Sequence, residues 1–381
     1  MTAPLVVLGT GLAGYNLVKE FRKLDSERPV VMITSDDGRQ YSKPMLSTGF
    51  SKGKDADGLA MNDAGAMCET LKVEIRTFQQ VTSIDSQQNK IFMGDDALEY
   101  SDLVLALGAA PINLPIVGNE YLMHVNDLMD YEKFHQAVQG KEKIVVLGAG
   151  LVGCEYAHDL ASASYKVEIA APDAQPLSRL VPDQCGQALI PALQELGVKL
   201  HLGKAATKVE KINDGLMVTL DDGSELVADV VLSAVGLRPR TDLAKQAKLQ
   251  VNKGIVVDRH LKTSENNIYA LGDCAEVAGF NLLYVLPLMN GARALAKTLS
   301  GQEVELQYPV MPVMVKTPSL PIVTCPPQDE GQGNWSIEGQ TPHLKALFKD
   351  SQGNLLGYAL TGECVAEKIK LNKELPASWY K

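Results

Sequence analysis

The sequence repeats one local pattern, in which a short apolar strand leads into a glycine-rich turn and then into an amphipathic helix. The first copy occupies residues 4–34, and the second, about 140 residues later, occupies residues 143–171. In both copies a second strand follows the helix. A strand, a helix and a strand in this order form a parallel βαβ unit, so the chain is predicted to contain two such units of one type.

The glycine-rich turns have the spacing G-x-G-x-x-G. At this spacing the first glycine allows a tight turn, the second lets a pyrophosphate approach the backbone, and the third lets the helix pack against the strand. The N–H groups at the helix start then bind the anionic pyrophosphate. Two such turns predict two bound dinucleotides, held by Gly9, Gly11, Leu12, Ala13 and Gly14 in the first unit and by Gly148, Gly150, Leu151, Val152 and Gly153 in the second.

The chain length and the order of elements predict three domains, because 381 residues exceed one ordinary domain. After residue 305 prolines become frequent, and two strand-like stretches follow at 343–349 and 354–360. We predict an α/β protein with two Rossmann-like dinucleotide-binding domains and a small C-terminal α+β domain. The predicted boundaries are 1–110 with 245–305 for the first domain, 111–244 for the second and 306–381 for the third.

The end of the second strand in such a unit normally carries an acidic residue that binds the ribose. In the first unit the strand at 30–34 leads instead into the hydroxyl residues Thr34 and Ser35, with Asp36 and Asp37 just after. We expect Thr34 and Ser35 to lie at the ribose of the first dinucleotide.

The second unit also lacks the acidic residue at this place. Its strand at 167–171 leads into Pro172, and Asp173 comes one position later. The nearest arginine that could bind a 2′-phosphate is Arg179, beyond the turn. This pattern favours NADH over NADPH and leaves use of NADPH open.

Composition limits the classes of partner. A net charge of −10 gives no reason to expect binding to nucleic acid or to a membrane surface. The N-terminus has no basic leader with a cleavage site, and no apolar run is long enough to span a bilayer, so we expect a cytoplasmic enzyme.

The six cysteines form no close pair, so the sequence signals neither a metal site nor a redox disulfide. We expect them to be structural thiols. Two of them adjoin functional motifs and are therefore the ones to watch, Cys154 and Cys274.

Three further motifs carry a family resemblance. Apolar strands at 103–111 and 232–239 end in Gly-x-x-Pro-like turns, and a strand within 263–273 delivers Asp273 to a loop. With the paired glycine turns, this set resembles the flavoproteins that include glutathione-reductase-like enzymes and the ferredoxin and rubredoxin reductases. The resemblance implies that the first unit binds FAD with the help of Asp273 and that the second binds NAD(P)H.

The segment after the first strand pair indicates the electron acceptor. In disulfide and peroxide reductases of this superfamily it contains cysteine, whereas here residues 41–48 read YSKPMLST. The resemblance is closest to rubredoxin–NAD(+) reductases of alkane-oxidising bacteria, through residues 34–60, the loop GAGLVGCEYAHDL, the segments ALGDCAEV and NLLYVLPLMNGARALAKTL, and the tail LNKELP. It implies a separate rubredoxin as partner, in a chain of electron transfer to an oxygenase such as alkane hydroxylase.

Two other functions remain open. Ferredoxin reductases of oxygenase systems share the Tyr-x-[Arg/Lys]-Pro-x-Leu-Ser element but have a longer C-terminal domain. A flavoprotein that acts as a redox sensor with slow turnover is a second alternative, and the intact second glycine turn argues against it.

The resemblance also implies roles for single residues. It places Lys43 beside the flavin or its pyrophosphate, Val81 and Val285 in backbone contact with FAD, and Glu155 near the nicotinamide and flavin. We further hypothesise that Lys316 contacts the flavin ring, where a cation stabilises the anionic reduced form. Hydride transfer to flavin N5 and single-electron transfer to rubredoxin then require no catalytic side chain and no metal.

Rubredoxins are usually acidic, so the docking face is expected to be locally basic despite the negative net charge. The candidate basic residues near the flavin motifs are Lys43, Lys52, Lys54, Arg293, Lys297 and Lys316.

Overall fold

The first unit is built on a five-stranded sheet in which all pairings are parallel. The computed structural model describes residues 3–376, and predictions for residues 1–2 and 377–381 lie outside this range. The central strands are fully buried, as expected for a parallel sheet covered on both faces. The strand order across the sheet is Ile268–Ala270, Asp102–Leu105, Leu5–Leu8, Val30–Ile33 and Glu74–Arg76.

Helices from both ends of the first unit's sequence pack together. Leu12–Arg22 follows the first glycine turn and contacts Val285–Leu299, which comes more than 260 residues later. A three-stranded antiparallel sheet adjoins this unit, with strands Ser83–Asp85, Lys90–Met93 and Asp96–Glu99. Two short strand pairs complete the unit, namely Gln40–Tyr41 with Ala60–Asn62 and Ile255–Val257 with Ala275–Val277.

The second unit repeats this architecture. Its parallel sheet has the strand order Leu122–Met123, Val230–Ser233, Lys143–Leu147, Lys166–Ala171 and Lys199–Leu202. An antiparallel sheet again adjoins it, with strands Ala206–Ile212, Gly215–Leu220 and Glu225–Ala228. The first unit connects to the second through a two-stranded antiparallel ribbon in which Ala109–Pro111 pairs with Leu237–Pro239.

The C-terminal part forms one antiparallel sheet and a short helix. The strand order is Val313–Val315, Ile322–Cys325, Leu355–Thr361, His343–Lys349 and Asn334–Gln340. The helix Lys368–Glu374 packs its Leu371 against the core of this sheet. An antiparallel sheet followed by a helix is an α+β arrangement.

The helices of the chain range from single turns to 15 residues. The α-helices in the described range are Leu12–Arg22, Ala56–Leu59, Ala64–Leu71, Leu128–Ala137, Leu151–Ser162, Asp183–Glu195, Asp242–Gln246, Val285–Leu299 and Lys368–Glu374. The 3₁₀ helices are Lys43–Thr48, Asn119–Tyr121, Gly272–Cys274, Glu330–Gln332 and Gly362–Glu367. Within residues 3–376, no helix has the length and apolar character needed to cross a membrane.

The structure confirms the predicted fold class of two Rossmann-like units and a small α+β part. Several predicted elements begin and end within two residues of the observed ones; for example, the helix expected to end at about Ser162 does so, and the strands at 343–349 and 354–360 are observed as His343–Lys349 and Leu355–Thr361. The apolar stretches at 103–111 and 232–239 are instead each divided into two short strands, Asp102–Leu105 with Ala109–Pro111 and Val230–Ser233 with Leu237–Pro239. The domain boundaries stay predictions.

One helix holds the three parts of the chain together. The buried face of Leu151–Ser162 belongs to a hydrophobic core that also contains Phe50 from the first unit and Ile322 from the C-terminal sheet. The helix that begins at the second glycine turn therefore contacts both other parts, and it places its polar side chains at their junction.

Candidate functional site

The first glycine turn has the geometry that its sequence predicts. Gly9 has a φ of +113°, and a Cβ there would lie 2.4 Å from the Ala106 carbonyl oxygen. A Cβ at Gly14 would lie 2.0 Å from the Gly9 carbonyl oxygen, so this position holds the helix close to the turn. A Cβ at Gly11 would have no described heavy atom within 4 Å, so the backbone at Gly11 faces open space.

The second turn has the same geometry. Gly148 has a φ of +107°, and a Cβ at Gly153 would lie 2.0 Å from the Gly148 carbonyl oxygen. A Cβ at Gly150 would again meet no described heavy atom within 4 Å. Both helices begin at these glycines, and their first turns carry the small or apolar residues Leu12, Ala13 and Gly14 or Leu151, Val152 and Gly153. Each helix N-terminus can therefore hold a pyrophosphate.

A carboxylate just beyond the expected ribose position, Asp36, folds back onto the first turn. The Asp36 Oδ1 atom accepts hydrogen bonds from Thr10 Oγ1 at 3.1 Å, from Thr34 Oγ1 at 2.7 Å and from Gly38 N at 2.9 Å. Ser35 is exposed. Asp36 and Thr34 together thus face the glycine turn. Asp36 was not among the predicted site residues, although its place after the strand was a usable signal.

In the second unit the loop after the strand also folds over the glycine turn. Leu177 N donates to the Ala149 carbonyl oxygen at 2.8 Å, and Asp173 Oδ1 accepts from Ser178 Oγ at 2.6 Å. Asp173 is also the carboxylate nearest in sequence to the expected ribose position. Arg179, the nearest arginine in sequence, is exposed.

Two predicted FAD residues from distant parts of the chain come together. Lys43 Nζ lies 3.4 Å from Asp273 Oδ2, although 230 positions separate them. The same ammonium donates to Asn126 Oδ1 at 2.9 Å, and the Asn126 side-chain amide donates to the Ala109 carbonyl oxygen at 2.9 Å. Asn126 is buried and was not predicted, because one asparagine in an irregular segment has no recognisable pattern.

A second predicted pair meets at the junction of the three parts. The Lys316 ammonium forms an ion pair with the Glu155 carboxylate, and Lys316 N donates to Glu155 Oε1 at 3.0 Å. Ser47 Oγ donates to Glu155 Oε2 at 2.7 Å. Glu155 is 2% exposed, so a charged and fully hydrogen-bonded carboxylate is buried where all three parts meet.

Glu155 and Lys316 pair with each other, a contact that the sequence did not indicate. Glu155 is the fifth residue of Leu151–Ser162, so the favourable field of the first helical turn does not account for it. Lys316 was expected beside the flavin ring, and in the structure its ammonium is held by Glu155 while its side chain stays 31% exposed.

The same helix makes two further contacts across the junction. Asp159 Oδ2 accepts from Phe50 N at 2.9 Å and its Oδ1 accepts from Ser51 N at 3.1 Å. His158 Nε2 accepts from Ser319 N at 3.2 Å. These bonds join the second unit to the first through Asp159 and to the C-terminal part through His158.

The remaining predicted residues lie near these groups or on the surface. Val81 is partly buried against the first core, and Val285 is the first residue of Val285–Leu299. Among the basic docking candidates, Lys43 and Lys316 have carboxylate partners, and the other four are exposed, namely Lys52, Lys54, Arg293 and Lys297.

The two thiols beside the motifs are buried and act as hydrogen-bond donors. The Cys154 and Cys274 Sγ atoms donate to the carbonyl oxygens of Ala149 and Leu105, each at 3.2 Å. Burial raises the pKa of Cys154 to about 12 and that of Cys274 to about 11. Both thiols therefore stay protonated at neutral pH and are not nucleophiles. Across residues 3–376, no cluster of three or more His, Cys, Asp or Glu side chains could hold a metal ion.

Comparison with known proteins assigns these features to a family. The sequence pattern described as "Pyridine nucleotide-disulphide oxidoreductase" matches residues 3–297, which include both glycine turns. The chain belongs to this family. Residues 305–375 match a second pattern, described as "Rubredoxin binding C-terminal domain", which covers the antiparallel sheet and its helix.

Two relatives align over nearly the full length of the chain. A rubredoxin-NAD(+) reductase of Alcanivorax borkumensis is 54% identical, over 98% of this chain and 99% of the relative. A rubredoxin-NAD(+) reductase of Acinetobacter baylyi is 41% identical, over 98% of each chain. The family resemblance inferred from the motifs is thus confirmed.

The fold is also shared with a solved structure of lower identity. A ferredoxin reductase from Rhodopseudomonas palustris superimposes with a TM-score of 0.88 at 23% identity, over 99% of this chain and 96% of the other. This likeness supports the fold alone.

Substitution of Gly150 by alanine tests the pyrophosphate site without disturbing the fold. Because a Cβ there meets no described protein atom, we expect the Gly150→Ala free energy of unfolding to change by less than about 1 kcal/mol. The methyl group would occupy the space that the pyrophosphate needs, so the dissociation constant for NADH should rise by roughly tenfold or more.

Gly153→Ala is the matched comparison, since its Cβ would lie 2.0 Å from the Gly148 carbonyl oxygen and should lower stability itself. NADH binding measured by calorimetry and unfolding measured by denaturant distinguish the two variants. An unchanged NADH affinity in Gly150→Ala would show that the turn does not bind the pyrophosphate.

Thiol reactivity tests the burial of the cysteines. At pH 8 the native protein should react promptly with a disulfide reagent at the two half-buried cysteines, Cys68 and Cys364, and slowly at the four buried ones, Cys154, Cys185, Cys274 and Cys325. The buried thiols have pKa values raised above the ordinary 9.0, so the folded state favours their protonated form. Their contribution to the stability of the folded protein is therefore complete below about pH 9 and is lost as the pH rises toward 12. Mass spectrometry of the labelled peptides would contradict this account if Cys154 or Cys274 reacted as fast as Cys68.

Proposed function

We propose that this chain is a rubredoxin–NAD(+) reductase that binds FAD in its first unit and NADH in its second and delivers electrons to a separate rubredoxin. The observation that carries the proposal is the rubredoxin-binding pattern over residues 305–375, joined to two intact dinucleotide-binding units in one chain. The relatives named rubredoxin-NAD(+) reductase have this same full-length organisation.

The first unit is suited to FAD by its glycine turn and its charged groups. The turn at Gly9, Gly11 and Gly14 would bind the pyrophosphate, with Leu12 and Ala13 at the helix start. Lys43 and Asp273, which contact each other, would position the ribityl and pyrophosphate region. Thr34, Asp36 and Ser35 would lie at the adenosine ribose, while Val81 and Val285 would offer backbone contacts.

The second unit is suited to NADH. Its turn at Gly148, Gly150 and Gly153 would bind the pyrophosphate, with Leu151 and Val152 at the helix start. The adjoining loop carries the carboxylate Asp173, which favours NADH. Use of NADPH at lower affinity is compatible with the exposed Arg179.

The protein contributes positioning and electrostatics, while FAD when bound supplies the exchange between a two-electron donor and a one-electron acceptor. Glu155 and Lys316 lie where the second unit, the first unit and the C-terminal part meet, so they would line the path between the two cofactor sites. The Ser47 hydroxyl fixes the carboxylate, and Glu155 fixes the ammonium.

The acceptor follows from the segment at the junction. The 3₁₀ helix Lys43–Thr48 reads KPMLST and offers no thiol for disulfide chemistry. This argues against a disulfide as acceptor. The rubredoxin-binding pattern over residues 305–375 favours a rubredoxin, with a ferredoxin as the alternative. We also infer that the enzyme is cytoplasmic, that the domains divide at residues 110, 244 and 305, and that an oxygenase such as alkane hydroxylase uses the electrons downstream.

The experiment that tests this function is steady-state NADH oxidation by the FAD-loaded protein. Turnover should rise by roughly tenfold or more when purified rubredoxin is added, and two molecules of rubredoxin should be reduced for each NADH oxidised. An equal amount of purified ferredoxin should give much less stimulation. Stimulation by ferredoxin alone would favour the alternative, and stimulation by neither protein would favour a sensor role and contradict the proposal.

A further inference from the structure

A buried asparagine holds the ammonium of Lys43 in place. The Asn126 side chain is 5% exposed, and its Oδ1 atom accepts a hydrogen bond from Lys43 Nζ at 2.9 Å. Its Nδ2 atom donates to the Ala109 carbonyl oxygen at 2.9 Å. Because a carbonyl oxygen only accepts and an ammonium only donates, these two contacts allow a single orientation of the amide. Asn126 therefore presents its oxygen, and not its nitrogen, to Lys43.

The backbone of Asn126 is fixed as well. Asn126 N donates to Asp130 Oδ2 at 3.1 Å. The next residue, Asp127, caps the helix Leu128–Ala137 by accepting a bond of 2.8 Å from Asp130 N. This segment follows strand Leu122–Met123 of the second unit's sheet, whereas the ammonium belongs to the first unit. The asparagine thus reaches from the second unit to the first.

The ammonium lies near the start of the first helix. Lys43 Nζ is 3.4 Å from Asp273 Oδ2. Asp273 follows Gly272, where a Cβ would lie 2.9 Å from the Cβ of Ala13, in the first turn of Leu12–Arg22. The helix N-terminus and the ammonium are therefore two positive groups beside the glycine turn that is proposed to bind the pyrophosphate of FAD.

The ammonium is held by one carboxylate and one neutral group. It has three N–H groups, and among residues 3–376 its acceptors are the Asp273 carboxylate and the Asn126 amide. One N–H is therefore left for a ligand, and the Lys43 side chain is 33% exposed. A second carboxylate in place of the amide would make this group of side chains net negative and repel a pyrophosphate. The neutral amide holds the ammonium without adding that repulsion.

We propose that Asn126 is a positioning residue for FAD, which acts by holding the Lys43 ammonium where it binds the pyrophosphate. The proposal rests on the proposed function, because it takes the first glycine turn as the FAD site. It adds to that site a residue that follows a strand of the second unit's sheet. The arrangement of the two units therefore contributes to FAD affinity.

Two substitutions of Asn126 and two matched controls test the proposal. Asn126→Leu removes both side-chain hydrogen bonds at similar volume and is made with Lys43 present and in a Lys43→Met background. Asn126→Asp keeps an acceptor for the ammonium and adds a negative charge. The controls are Asn213→Leu and Asn213→Asp, at an exposed asparagine between two strands of the second unit's antiparallel sheet. Asn126→Ser, which also loses the Oδ1 acceptor, replaces Asn126→Leu if that variant does not fold.

The FAD dissociation constant of each holoprotein is measured from released flavin fluorescence, and the flavin midpoint potential is measured against a reference dye. We expect the dissociation constant to rise by about tenfold in Asn126→Leu and by at least as much in Asn126→Asp, with less than about twofold change in the controls. Because Asn126 acts through the ammonium, Asn126→Leu should have less than about a twofold effect in the Lys43→Met background. The midpoint potential should stay unchanged, because a contact at the pyrophosphate affects oxidised and reduced FAD equally.

Equal losses of FAD affinity from Asn126→Leu with and without the Lys43 ammonium would overturn the proposal, since the asparagine would then act independently of the ammonium. Wild-type affinity in Asn126→Asp, or a shifted potential at unchanged affinity for oxidised FAD, would also overturn it. These results leave the proposed function standing. That function fails instead if the wild-type protein binds no FAD or does not reduce rubredoxin with NADH.

Discussion

The arrangement of this protein depends on a buried carboxylate. Glu155 is almost completely removed from water and is bonded by the Ser47 hydroxyl, the Lys316 backbone N–H and the Lys316 ammonium. A buried charge is tolerated only when its partners are in place, and loss of one partner costs about 3–5 kcal/mol. Because these three residues come from three parts of the chain, the ion pair forms only when the parts are correctly assembled.

The helix that carries Glu155 also starts at the second glycine turn. The proposed pyrophosphate position and the carboxylate at the junction are therefore separated by a little more than one helical turn, at a fixed rise of 1.5 Å per residue. Asp159 and His158, on the next turn, secure the first unit and the C-terminal part. One helix thus links the proposed dinucleotide site to both the first unit and the C-terminal part.

Much of this could be predicted from local sequence. The glycine turns, their strands and their helices follow from spacing and periodicity, and Gly9, Gly14, Gly148 and Gly153 occupy positions that would not accommodate a side chain. The contact between Lys43 and Asp273 joins residues 230 positions apart, so only the family resemblance could place both at one site. Asn126 and Ser47 were missed because a single polar residue has no periodic signal, and its role appears only when the chain folds around it.

The surface that receives the partner was the least predictable part. Counting basic residues near the motifs selected six candidates, but such a count does not show that Lys43 and Lys316 are already paired with carboxylates. Met314 and Lys368 become neighbours only through the packing of a strand and a helix more than fifty residues apart. Exposure and pairing are tertiary properties, so the sequence alone does not show which basic side chains are free to contact a partner.

The central claim is that Glu155 connects the dinucleotide site to the flavin site. It is tested most directly by stopped-flow measurement of flavin bleaching when NADH is mixed with FAD-loaded Glu155→Gln, with Glu195→Gln at an exposed position as the control. We predict that the Glu155→Gln variant folds and binds FAD but that its flavin is reduced by NADH at least about tenfold more slowly than in the control. Equal rates of flavin reduction in the two variants would contradict this claim.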